Sequence, residues 1–354
     1  MRRRSFINLG LSGFAGIYLA GCNQLKNSSA TTSSSNFFMS VSGSKPSSVM
    51  GFTLTHEHLF ADIRPYSEQI KSPISLNQDD VVAIVLPYLK EIQKLGCKTF
   101  IDCTAVGLGR NPSLLKALSN ATGMNIVTTT GAYLSADLQF KPDYFDRMTA
   151  EELSEKWTGE WRNGIDDTGV KPGMIKIGVS GGDLSNDEKK LVKAAILTHK
   201  KSGMVIGCHV GPWRDVKPGF NGKSALEQVK LLTDAGVSVK RWIWIHAHTE
   251  VDFQIHQQVL AQGAWISYDG YRPEHTPQYL ELITRVKAAG YLKSLLVSQD
   301  AGWYTASEPK GGKFNSFAPL MTDLIPALKE RGFTSDDLAQ VFVHNPAEAF
   351  QIKI

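Results

Sequence analysis

Six side chains able to hold metal ions or move protons stand at or near the ends of short apolar runs in this chain. Thr55-His56-Glu57-His58 closes the first run, with the two histidines two residues apart. Residues i and i+2 of a strand share a face, so both imidazoles are predicted to point one way and Glu57 the other. Lys176 stands in the middle of Met174–Val179, where a strand covered on both faces would bury it. A buried ammonium is costly unless it loses its proton or gains a partner. A neutral, desolvated lysine amine can take up carbon dioxide. The carbamate that results is a carboxylate on a long arm, able to bridge two cations. His209 lies near the end of Val205–Val210, and Asp300 closes the run 295–300. The run 242–248 ends on His246 and His248, again two apart. Any one of these residues alone reads as an ordinary structural side chain. Together, at the ends of the first, fourth, fifth, sixth and eighth strands, they read as one site.

Nitrogen and oxygen donors without thiolate suit zinc, manganese or cobalt, with zinc the default. Six protein ligands, one of them a bridging carboxylate, suit two divalent ions a few ångströms apart. Such a pair acidifies a shared water and stabilises charge on the attacked centre, so the chemistry expected is hydrolysis of a small-molecule substrate.

The elements that must position these residues alternate. Near-continuous apolar runs at 52–58, 99–104, 125–133, 174–179, 205–210, 242–248, 264–270 and 295–300 read as parallel strands covered on both faces. Amphipathic stretches lie between them, including 78–95, 186–201, 225–235 and 277–289, with Gly96, Gly203, Gly236 and Gly290 at their ends. Eight strands with interleaved helices predict an α/β fold, a (β/α)8 TIM barrel whose site forms at the carboxyl ends of the strands. A doubly wound open sheet is the second choice, and no GxGxxG or Walker sequence supports it.

Composition agrees with a globular body: 354 residues, 42% hydrophobic, 20% charged, 9% aromatic. The formal net charge is +4, and three of the positive charges are Arg2, Arg3 and Arg4. Without residues 1–22 the balance is 35 basic against 34 acidic residues, which gives no electrostatic case for nucleic acid. Residues 1–22 themselves read as a secretory leader, with a basic start, an apolar stretch and small residues at Ala20-Gly21. Arg3-Arg4-Ser5-Phe6 resembles a twin-arginine export signal, and Leu19-Ala20-Gly21-Cys22 resembles a bacterial lipobox. The expectation is an exported lipoprotein, periplasmic or at the cell surface, held to a membrane only through a lipid on Cys22. Residues 23–37, rich in Ser, Thr and Asn, read as a flexible tether, and 38–354 as the hydrolase domain. Cys97, Cys103 and Cys208 show no CxxC spacing and are expected as buried apolar residues, with Cys208 facing away from His209.

With these residues in place, the chain resembles the phosphotriesterase family of the amidohydrolase superfamily. The resemblance runs from about Phe38 to the C-terminus. It is carried by Gly51-Phe52-Thr53-Leu54-Thr55-His56-Glu57-His58-Leu59, by Asp102, Gly109-Arg110 and Leu114-Leu115, and by Thr130-Gly131. Ile175-Lys176-Ile177, Cys208-His209, Ile245-His246, Gln299-Asp300 and Asn345-Pro346-Ala347 continue it. The resemblance implies that His56, His58 and Asp300 bind the buried metal, and His209 and His246 the more exposed one. It implies that N6-carboxylated Lys176 bridges both, and that Asp300 also takes the proton of the attacking hydroxide. Spacing from Gly263 places the sixth-strand ligand at His246 and leaves His248 as a candidate outer neighbour. Family members are often dimers, so a homodimer is the implied assembly.

The chain departs from the organophosphate-degrading members at several places. Gly270 stands where they carry a relay histidine, and Tyr133 where they carry a tryptophan. These departures move the expected substrate toward a lactone or carboxyl ester, ahead of a phosphotriester. An amide or phosphodiester hydrolase on the same site is the first alternative, and a catalytically silent, metal-bound surface binding lipoprotein the second. The long Gly-rich loop after Asp300 is expected to be functional. Trp303 and Tyr304 within it, with Tyr133, Trp213, Arg214 and Arg272, are the candidate pocket residues.

Overall fold

A computed structural model of the chain describes residues 36–135, 137–212 and 216–353. The expected leader, Cys22 and all but the last residues of the tether lie outside them. The tether ends earlier than expected. Phe37 already belongs to strand β1 (Phe37–Ser40), which pairs antiparallel with β2 (Gly43–Pro46) and bridges to Ile352. Phe38 is fully buried, and its apolar ring is why this hairpin docks.

Ten further strands follow: β3 (Thr53–Ala61), β4 (Thr99–Asp102), β5 (Asn125–Val127), β6 (Thr129–Thr130), β7 (Met174–Val179), β8 (Val205–Val210), β9 (Trp242–Ile245), β10 (Trp265–Tyr268), β11 (Leu295–Val297) and β12 (Gly302–Thr305). Parallel pairing runs β12-β3-β4-β5 in one segment and β6-β7-β8-β9-β10-β11 in the other. β5 and β6 are two parts of one strand interrupted at Thr128. The remaining seam, between β11 and β3, is closed by side chains as well as backbone. Ser298 Oγ accepts from the N–H groups of Thr55 and His56, both at 3.0 Å, and Asp300 N–H donates to His56 O at 2.9 Å. The result is an eight-stranded (β/α)8 barrel, the expected fold.

Helices α1 (Tyr66–Lys71), α2 (Gln78–Lys94), α3 (Pro112–Thr122), α4 (Ala150–Asn163), α5 (Asn186–Ser202), α6 (Phe220–Asp234), α7 (Phe253–Ala261) and α8 (Thr276–Ala288) lie between the strands. Their starts are written locally: Ser185 and Glu188 form a reciprocal capping box on α5, and Thr149 and Glu152 do the same on α4.

Side-chain alternation sorts the core into two layers. Met174, Val205, Ile243, Ile245 and Leu296 fill the barrel interior. Ile175, Ile177, Ile206, Cys208, Trp242 and Trp244 face the helices. Period-two alternation then turns Lys176 and His209 inward above the interior plug and Cys208 outward. Cys97, Cys103 and Cys208 are free, buried thiols, and burial pushes each well above its ordinary pKa.

Five runs stop short of the expected bounds: 99–104 ends at Asp102, 264–270 narrows to Trp265–Tyr268, and three others turn or break earlier. β9 ends at Ile245 because His246 turns left-handed, with φ of 64°. β11 ends at Val297, and Asp300 likewise has φ of 50°. The run 125–133 breaks at Thr128, and Gly131, at φ of 121°, brings the next turn so close to β7 that a β-carbon there would strike the Lys176 carbonyl.

One buried ion pair fixes a helix to the barrel. Arg110 Nη1 and Nη2 donate to Glu160 Oε2 and Oε1 at 2.8 and 3.0 Å, and Arg110 Nη1 also donates to Thr129 O. Thr130 Oγ1 donates to the same carboxylate at 2.6 Å. Burial raises the Glu160 carboxyl, but Arg110 outweighs it and holds the group below the usual carboxylate range. A depressed folded-state pKa contributes stability above the unfolded pKa, and that stability is lost as pH falls through the folded value. Glu160→Gln should cost about 3 kcal/mol at neutral pH, the scale for breaking one side of a buried pair. Urea titrations at decreasing pH should show wild type and variant converging as the wild-type carboxyl protonates. A pH-independent gap would contradict the assignment.

Candidate metal centre

The carboxyl ends of the strands bring five of the six candidate ligands around Asp300. His56 and His58 alternate along β3, and their rings lie 5.4 Å apart. Asp300 Oδ1 is 3.1 Å from His58 Nε2 and 3.7 Å from His56 Nε2, and Asp300 Oδ2 is 3.9 Å from His246 Nε2. The His209 ring stands edge-on to His246 at 4.5 Å. Lys176 is buried and lines the same cavity.

The outer nitrogens fix which way the inner ones face. His56 Nδ1 and His246 Nδ1 donate to separate oxygens of Asp269, at 3.0 and 2.8 Å. Thr104 Oγ1 gives its proton to Phe60 O, so it accepts from His58 Nδ1 at 2.8 Å. With Nδ1 protonated on all three rings, each Nε2 turns a lone pair toward Asp300. Burial, helped by Lys176, pulls His56 down to about 4, so the ring is neutral at physiological pH. Burial, with His246 and Lys176, takes His209 well below its ordinary value. Burial raises the Asp300 carboxyl, and positive charge on the His56 and His58 side, in the rings or in a cation between them, outweighs it and holds the group below the usual carboxylate range.

The lone pair of a neutral His56 therefore faces a carboxylate that is itself buried, with Oδ1 lacking an aligned hydrogen bond. Acceptors facing acceptors in a dry site need a cation between them. His56, His58 and Asp300 offer ligand atoms within 4.8 Å of one another, and so do His56, His246 and Asp269. In the second group the Asp269 oxygens are already taken by Nδ1 protons, so Asp269 orients ligands rather than serving as one. The donor set fits a divalent metal.

The remaining sequence candidates divide. Trp303 stacks on His58 with ring centroids 3.9 Å apart and lines the cavity. Tyr133 lines it too, and its hydroxyl lies 2.8 Å from His209 Nε2. Tyr304 does not line the cavity. It follows Trp303 on β12, points to the opposite face and stacks on Phe60. Arg272 also turns away, because its guanidinium bonds the carbonyls of Tyr271, Gln299 and Asp300. Trp213 and Arg214 lie outside the described residues. His248 is not on a strand face shared with His246. It sits in a turn after β9 with Nδ1 3.5 Å from Asp269 Oδ1, and its ring fills the space that a side chain at Gly270 would take.

The sequence assigns no role to Asp269, Thr104 or the cavity wall beyond Tyr133 and Trp303. Asp269 had a signal, since it is a carboxylate directly after a strand, like Asp300. Ile63, Leu108, Phe140 and Phe220 had none, because they come from four segments far apart in sequence, Phe220 from the start of α6. They wall a cavity of about 740 Å³ above the ligands.

A closed (β/α)8 barrel with a histidine, aspartate and buried-lysine site at its mouth defines a metal-dependent hydrolase. The chain belongs to the phosphotriesterase family, whose model matches residues 37–350, and with it to the binuclear metal-dependent hydrolases. An aryldialkylphosphatase of Saccharolobus solfataricus is 28% identical over 313 residues, 85% of this chain and 95% of that protein. An N-acetyltaurine hydrolase of Dictyostelium discoideum is 25% identical, over 76% of this chain and 73% of that one. A variant of a PTE-like lactonase from Deinococcus radiodurans superposes with a TM-score of 0.78 at 25% identity, covering 88% of this chain and 99% of that one.

Asp269→Asn leaves an amide nitrogen that cannot accept one of the two Nδ1 protons. Metal affinity, measured by competition with a chromophoric chelator, should fall about 10- to 100-fold with the fold intact by circular dichroism. Unchanged affinity would mean that Asp269 does not orient the ligands.

Proposed function

We propose that the protein hydrolyses a neutral ester-type bond, a lactone or carboxyl ester ahead of a phosphotriester, at a centre of two divalent ions, most simply zinc. The observation that carries this reading is the wall of the cavity. Ile63, Leu108, Tyr133, Phe140, Phe220 and Trp303 make it apolar, and Lys176 is its only Lys or Arg among the described residues. An uncharged substrate loses little on entering such a space, whereas an anionic one finds no Lys or Arg on the wall to pair with on its way to the ions.

When bound, the two ions would acidify a shared water and polarise the attacked carbonyl or phosphoryl group. His56, His58 and Asp300 would hold one ion, His209 and His246 the other, and a carboxylated Lys176 would join them. The rings of His56, His58 and His246, fixed through their Nδ1 atoms, keep Nε2 turned to the site. Asp300, held ionised, takes the proton of the attacking water. The Trp303 ring on His58 and the apolar wall keep bulk water from the reacting atoms.

Two expectations test the reading. Acid release from a panel of lactones, carboxyl esters, phosphodiesters and phosphotriesters, with taurine release from N-acetyltaurine followed by an amine-reactive dye, should show turnover of the neutral esters that vanishes with chelator and drops more than about 1,000-fold in Asp300→Asn. The N-acetyltaurine arm answers the one observation favouring an amide, the likeness to an N-acetyltaurine hydrolase of Dictyostelium discoideum. Turnover of N-acetyltaurine alone would reverse the assignment. Silence across the panel with two metals bound would favour a binding protein. Lys176→Ala should lose metal and activity and regain part of both with added short carboxylic acids. Full metal content in that variant would exclude the bridging carbamate.

A further inference from the structure

Asp300 holds its left-handed backbone by a complete set of hydrogen bonds around residues 299–301. On the N–H side, Glu57 Oε1 accepts from Gln299 N at 3.0 Å, and Glu57 Oε2 accepts from Ala301 N at 2.7 Å. Asp300 N donates to His56 O and His58 N to Ala301 O, each at 2.9 Å. On the carbonyl side the work falls to the loop after β10. Arg272 Nη1 donates to Gln299 O, Arg272 Nη2 donates to Asp300 O at 3.1 Å, and Trp303 Nε1 donates to the same oxygen at 2.9 Å.

A planar guanidinium can span two successive carbonyls, which a single point donor cannot. That geometry sets the direction of the Asp300 peptide, and the peptide sets where the carboxylate reaches between the Nε2 atoms of His56 and His58. We infer that Arg272 is a positioning residue for Asp300: it clamps the Gln299 and Asp300 carbonyls so that the Asp300 carboxylate stands where a metal ligand must. The inference rests on the reading of Asp300 as a ligand. It assigns Arg272 no contact with substrate, in keeping with its absence from the cavity wall.

The test is a cobalt titration of the metal-free full chain, comparing wild type, Arg272→Met, Arg272→Lys and Asp300→Asn. Affinity and the visible spectrum of bound cobalt are the readouts, and circular dichroism melts control for folding. Arg272→Met should weaken one of the two cobalt sites about 10- to 100-fold, the range for a group that orients a ligand, and shift the spectrum. Arg272→Lys, with one donor in place of the fork, should fall between it and wild type. Asp300→Asn should weaken that same site further. Should Arg272→Met fail to fold, Trp303→Phe, which removes the other donor to Asp300 O, combined with Arg272→Lys must weaken that site more than Arg272→Lys alone. Wild-type affinity and spectrum in a folded Arg272→Met would overturn the inference while leaving Asp300 a ligand. Unchanged cobalt binding in Asp300→Asn would instead overturn the reading beneath it.

Discussion

The constraint on which this structure turns is a set of electron pairs aimed at one another. A neutral His56 ring and the His58 ring beside it turn Nε2 toward an Asp300 oxygen, in a place that water barely reaches. Left alone, such a cluster would spread apart or take up protons. It is held by bonds made one shell further out, where Asp269 takes two imidazole protons and Thr104 takes a third. Each of those acceptors is seated on a barrel strand or directly after one. The rigidity of the barrel therefore becomes the rigidity of the ligand set.

Backbone conformation shows the same economy. His246, Asp300 and Trp303 are all non-glycine residues in the left-handed region, and each such residue costs about 1 to 3 kcal/mol unless its surroundings over-determine it. All three lie at the mouth, His246 and Asp300 where the chain leaves a strand and Trp303 near the start of β12. Glu57 shows how that is sustained. Its carboxyl is fully buried and burial pushes it up to about 8, yet it gathers Ser298 Oγ and the N–H groups of Gln299 and Ala301. The residue between the two first-strand histidines, which faces away from the metal centre, thus holds the opposite side of the seam in register.

Much of this was legible in the sequence, and the rest was hidden for identifiable reasons. Parallel strands buried on both faces are apolar throughout, so Met174–Val179 and Val205–Val210 were readable to the residue. Strand ends were not. Periodicity continues through 242–248 and 295–300, while the backbone turns at His246 and Asp300 for tertiary reasons that no local pattern records. The ligand residues stood out because ionisable side chains are rare inside apolar runs. Arg272 and Tyr304 were expected at the mouth because they neighbour it in sequence. One is drawn off by three carbonyls and the other by the alternation of a strand pairing that only the closed barrel creates. The cavity wall was invisible because its members meet only in space.

The His248 ring occupies the volume that a side chain at position 270 would need. The two positions are therefore not independent characters in the history of the fold. A larger residue at 270 has no room until 248 shrinks or swings away, and a smaller residue at 248 leaves a hollow beside Asp269 until 270 grows. Single replacements pass through a crowded or an empty intermediate, so exchange between the two arrangements requires paired change. Grafting a relative's residue onto this chain one position at a time would then misjudge what either position contributes.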